Sequence, residues 1–118
     1  MKGTIYLLHF DRPLAHAQHY LGWAKGDHVD KRLRTHVLGV RGAKIVKAAV
    51  AQGIGFSLAV TIENVDRNFE RLIKRRGGCG RWCPHCDVKT KRIPSIEGAC
   101  ISVFLPDSPR LWRYEVAA

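Results

Sequence analysis

Five residues stand out for what their types and spacing can do. Tyr6 and Tyr20 each sit in a short apolar segment, Gly3-Thr4-Ile5-Tyr6 and Tyr20-Leu21-Gly22. Arg32 and His36 are four positions apart and share one face of any helix that carries them. Glu70 follows Phe69 and stands one turn before Ile73 and Lys74, at the border of an apolar helical face. A carboxylate there loses hydration, and a divalent cation would compensate it. Each residue also has a plainer reading. Strand tyrosines are usually core or rim residues with a satisfied hydroxyl. Arg32 reads equally as one charge on a solvated face, and Glu70 as the partner of Arg67 or Lys74 along its helix.

The cysteines form a second group. Cys79, Cys83, Cys86 and Cys100 all lie in the last third of the chain, whereas a disulfide scaffold would spread them throughout. Zinc takes four such ligands, and Cys79, Cys83 and Cys86 with either Cys100 or His85 would supply them. The alternative is a set of reduced thiols in a loop. Cys83-Pro84-His85-Cys86 also looks like the active motif of periplasmic thiol oxidases. In those proteins the motif opens a helix after a buried strand; here a basic segment and Gly77-Gly78 precede it. His9, His16, His19 and His28 read as surface or loop residues.

These groups need elements to position them. Thr4 to Phe10 reads as a strand buried on much of both faces, ended by Asp11-Arg12-Pro13. His19 to Trp23 reads as a second strand, antiparallel to the first because the connection is short. Asp27 is a suitable N-cap for a helix over 28–38, with Val29, Leu33 and Val37 as its stripe and Gly39 as its stop. A helix over 43–52 follows, with Ile45, Val46, Ala49 and Val50 inward and Gly53 at its end. Phe56 to Ile62 alternates as a third strand. A last helix over 66–76 turns Phe69, Leu72 and Ile73 inward. The expected fold is α/β, a small three-stranded antiparallel sheet flanked by helices in the order β-β-α-α-β-α. Residues 1–76 carry this pattern, and 77–118 form a basic, cysteine-containing extension read as an irregular tail. Within it, 99–105 and 111–116 are weaker strand candidates.

Bulk properties narrow the function. At 118 residues the chain has the size of one domain, and its 46% apolar and 25% charged residues are those of a globular protein. No apolar run is long enough to span a bilayer, and the N-terminus lacks a signal-peptide pattern, so a cytoplasmic, non-membrane protein is expected. Twenty Lys and Arg against ten Asp and Glu leave a net charge of +10. Such an excess favours a polyanionic partner through long-range attraction and counterion release.

The order of motifs adds a resemblance. Thr4-Ile5-Tyr6, then Tyr20-Leu21-Gly22-Trp23, then Arg32-Leu33-Arg34-Thr35-His36 with Gly39, then Glu70-Arg71-Leu72-Ile73-Lys74 resemble the GIY-YIG nuclease family over Gly3 to Lys74. Thr4 stands where the family has the glycine before Ile-Tyr. The segment after the glutamate helix, Arg76 to Cys83, has no counterpart of the asparagine many members carry there.

The resemblance implies a metal-dependent DNA endonuclease in which water attacks the phosphorus in line. On that basis Glu70 would hold one Mg²⁺ or Mn²⁺, Arg32 would face the phosphate oxygens, Tyr6 would sit against the attacking water, Tyr20 would position water or phosphate, and His36 would relay the proton. Arg67, Arg71, Lys74, Arg75, Arg76 and Arg81 would contact the DNA backbone, with the enzyme a monomer or a transient homodimer on DNA. A non-catalytic nucleic-acid-binding module, with zinc fastening its tail, is the alternative.

Overall fold

Strand β1, Gly3–Leu14, is the spine of the molecule, buried on both faces from Gly3 to Leu8. A computed structural model of the chain describes residues 2–14, 17–26, 31, 44–76, 82–86, 93–107 and 113–114. After β1 come β2 (Ala17–Lys25), α1 (Lys44–Ala51), β3 (Phe56–Val65), α2 (Arg67–Arg76), β4 (Cys100–Val103) and β5 (Arg113–Tyr114). The expected helix over 28–38 lies outside the described residues except for Lys31.

The sheet is antiparallel, in the order β2-β1-β3-β4, with β5 also on β3. Its register places Tyr6 opposite Gly22, Leu8 opposite Tyr20 and His9 opposite His19. The expected three strands are therefore joined by two short ones from the tail, and the sheet runs across the change of sequence character at residues 76–78. β4 pairs with Val60 to Glu63 and β5 with Phe56 and Ser57, so the outer edge of β3 is covered in two pieces. Arg113 on β5 holds Asp11 of β1 through both guanidinium arms, a bidentate pair that anchors the smaller piece.

Asp11-Arg12-Pro13 does not end β1, which continues to Leu14 beside Ala17 of β2. The ladder with β3 stops at Phe10, and the register with β2 is irregular between His9 and Leu14. Pro13 therefore removes no bond from a central ladder, which is where proline is tolerated in a sheet.

Side chains alternate between two cores. Tyr6, Leu8, Phe10 and Phe56 pack on one face with Val46 and Ala49 of α1. Ile5, Leu7, Leu21 and Ile62 pack on the other with Ile73 of α2, Trp82 and Cys83. α1 closes with Gly53 at φ 72°, whose N–H meets Val50 O at 3.2 Å while Ile54 N–H meets Ala49 O at 2.8 Å. This is a Schellman cap, and buried Ile54 seals it. Asp66 caps α2, its Oδ1 accepting from Phe69 N–H at 2.9 Å. Of the expected inward stripe of α2, Ile73 is buried and Phe69 half-buried, but Leu72 is exposed and Glu70 is buried in its stead. Leu72 stands about 200° round the helix from Glu70 at 3.6 residues per turn, so the two cannot share a face.

Candidate active site and candidate metal centre

The period of two along β1 sends Tyr6 to the face where Gly22 and Tyr20 of β2 also point. Gly22 lies directly beneath the Tyr6 ring: a Cβ there would collide with Cζ and the hydroxyl and come within 2.8 Å of Cε2. Glycine at this position lets the phenol lie across the neighbouring strand. The rings of Tyr6 and Tyr20 are 6.1 Å apart and inclined by 54°. Tyr6 is fully buried, and Tyr20 half-buried.

α2 packs against β2. From it, Lys74 places its ammonium 5.6 Å from the centre of the Tyr20 ring, within cation–π range. The same ammonium lies 3.6 Å from Glu70 Oε2, the plainer pairing open to Glu70. Tyr6, Tyr20, Lys74 and Glu70 thus form a continuous line over three elements. Arg67, Arg71, Arg75 and Arg76 are exposed along α2. Arg32, His36 and Arg81 lie outside the described residues.

The second site was not expected where it stands. Cross-strand pairing of His9 with His19 brings both imidazoles to the face of Ile5 and Leu7. The turn Cys83-Pro84-His85-Cys86, closed by Cys86 N–H to Cys83 O at 3.2 Å, presents two thiols to them. His9 Nδ1 is 3.3 Å from His19 Nε2, 3.5 Å from Cys83 Sγ and 3.5 Å from Cys86 Sγ; Cys86 Sγ is 3.2 Å from His19 Nε2. All four donor atoms lie within 4.8 Å of one another, a group able to hold a metal ion.

His9 and His19 are therefore half-buried strand residues, not surface or loop residues. Cys83 and Cys86 lie in a group that could hold a metal ion, but Cys100 and His85 are not among its members. Cys100 is exposed on β4 opposite Glu63, whereas the cluster sits beside Ser57, six residues back along β3. That separation is about 20 Å in an extended strand. His85 lies against His9, ring centres 5.3 Å apart, but its nitrogens are engaged elsewhere, Nδ1 with Ser57 Oγ at 3.0 Å and Nε2 with Phe104 O at 2.8 Å. A tautomer protonated at Nε2 donates to the carbonyl and accepts from the serine hydroxyl. Cys79 lies outside the described residues.

The cluster's electrostatics favour neutral donors in the absence of a cation. Burial, reinforced by His19 and His85, lowers the His9 pKa from 6.5 to about 4. Burial and His85 lower that of His19. Burial also pushes the Cys83 thiol up to about 12. Neutral imidazoles are the ligating form, and a bound cation would stabilise the thiolate that burial disfavours.

The pair of histidines had a legible signal. Two predicted antiparallel strands, each bearing a histidine near the shared turn, bring both onto one face if the register pairs them. The sequence leaves that register open, and a slip of one residue would send the two histidines to opposite faces.

No family model, curated protein or solved structure matches this chain. Among the described residues, no helix is long and apolar enough to cross a membrane.

Proposed function

We propose that this chain is a metal-dependent DNA endonuclease of the GIY-YIG type, acting in the cytoplasm as a monomer or transient homodimer. The observation that carries this reading is the packing of Tyr6 across Gly22 and against Tyr20, beside the Lys74–Glu70 pair. It gives the two tyrosine motifs a joint physical purpose: the glycine of the second makes room for the tyrosine of the first. The exposed arginines of α2 and the net charge of +10 supply the attraction for a phosphate backbone.

Glu70 would be the carboxylate for Mg²⁺ or Mn²⁺, ions that bind through one or two carboxylates and water. Lys74 is half-exposed, so its ammonium can withdraw when a cation takes the carboxylate. The ion would stabilise charge on the leaving oxygen. Tyr20, held in place by the buried Tyr6 behind it, would orient the attacking water, Arg32 would bond the non-bridging oxygens, and His36 would take the proton that water loses while the leaving oxygen gains one from solvent. The histidine–cysteine cluster lacks carboxylates and so does not offer a site for this ion.

The Lys74–Glu70 pair equally suits a module that binds nucleic acid without cutting it, because the lysine already compensates the carboxylate. Supercoiled plasmid with Mg²⁺ or Mn²⁺ separates the two. Nicking by the wild type that disappears in Glu70→Ala supports the endonuclease. Salt-sensitive binding by both proteins with no nicking by either supports the module.

A further inference from the structure

We infer that His9, His19, Cys83 and Cys86 form a closed, four-coordinate zinc site that staples the β1–β2 hairpin to the Trp82–Cys86 segment. The first ground is the stereochemistry of the donors. Zinc binds histidine nitrogen at about 2.0–2.1 Å and cysteine sulfur at about 2.3 Å in a tetrahedron, which sets N···N edges near 3.3 Å and N···S edges near 3.5 Å. Of the six edges, the one between the nitrogens is 3.3 Å, three nitrogen–sulfur edges are 3.5, 3.5 and 3.2 Å, and the other two lie within 4.8 Å.

The second ground is that three possible ligand atoms crowd one ring nitrogen, more than its single hydrogen bond requires. His9 Nδ1 is approached at once by one nitrogen and two sulfurs. A ring nitrogen has either one proton or one lone pair, enough for one good hydrogen bond. A single cation among the four donors satisfies all of them.

The ligand chemistry selects the metal. Two thiolates and two imidazoles in a tetrahedral arrangement suit zinc, whereas Mg²⁺ and Ca²⁺ require oxygen ligands. Four protein ligands leave no open position for water or substrate, so the site is structural. Its topology shows what it holds. The cysteines are 67 to 77 positions from the histidines they meet, and one pair comes from a strand hairpin while the other comes from a turn. His85, within the turn, is fixed from behind by Ser57 and Phe104, which orients both flanking cysteines.

Zinc at this centre does not depend on nuclease activity, and metal content is read without any substrate. The protein purified with zinc and dialysed should retain one zinc per chain by elemental analysis. Cobalt(II) in its place should show the intense visible bands of a tetrahedral ion and a thiolate-to-cobalt charge-transfer band. His19→Ala and Cys86→Ser should lose the stoichiometric metal, while Cys100→Ser should keep it. Cys86→His preserves four ligands, so it should still bind cobalt(II) with the charge-transfer intensity cut by half. A wild-type protein that retains no zinc would overturn the assignment. So would unchanged cobalt spectra in His19→Ala, or loss of one thiolate's intensity in Cys79→Ser.

Discussion

Gly22 and Tyr6 constrain each other because neither can move: the ring is fully buried and the glycine lies in the middle of β2. Gly22→Ala would drive a methyl group into the ring and should cost about 1–3 kcal/mol, the usual penalty for overpacking a filled core. The lowered midpoint in urea would measure it. Tyr6→Leu removes the atoms that collide, so the alanine penalty should shrink in that background. An equal penalty in both backgrounds would place the strain elsewhere. Glu70 shows a different constraint. Its burial beside Lys74 is visible only in three dimensions, because the sequence also offered Arg67 as a partner and Leu72 as the inward residue.

At the scale of elements, α2 is held at its start by Asp66 and at its middle by Ile73. Asp66→Ala removes the acceptor for Phe69 N–H and should lower stability by about 0.5–2 kcal/mol, as loss of an N-cap does. Since α2 carries Glu70 and Lys74, thermal and urea unfolding should shift together, and amide exchange should quicken at Arg67 to Phe69 first. Protection unchanged there would show the cap to be dispensable. The elements themselves were largely legible in the sequence. Val and Ile alternation marked β3, the Gly53 stop marked the end of α1, and the amphipathic run to Arg76 marked α2. What escaped was the set of decisions made by partners distant in the chain. Pro13 looks like a strand end until β3 is seen to stop at Phe10. His9 and His19 fall within the two expected strands, but nothing local shows that they pair with each other and face the Cys83–Cys86 turn rather than solvent. Cys83 and Cys86 carry a metal-binding spacing, but nothing local names the histidines 67 to 77 positions away as their partners.

For the whole molecule, the proposed function makes the excess charge the handle for nucleic acid. Exposed Arg67, Arg71, Lys74, Arg75 and Arg76 line one helix in a chain of net charge +10. DNA binding should weaken steeply with salt, log K falling by about 0.9 per unit of log salt for each phosphate contacted. Arg71→Ala and Arg75→Ala together should lower that slope by about one to two contacts without altering preference among sequences. Binding measured from low to high salt on two unrelated duplexes tests both claims, and a slope near zero would dissociate the charge from nucleic acid. The covering of β3 in two pieces also bears on how the chain is made. β3 is a ten-residue strand buried over most of its length, and among the described residues its outer edge is closed by 100–103 and 113–114. During synthesis, β1, β2 and β3 leave the ribosome before the strands that close this edge. Throughout that interval the growing chain offers an open ladder to any neighbour. A chain stopped at residue 98 should therefore sediment as aggregate where the full-length protein stays monodisperse.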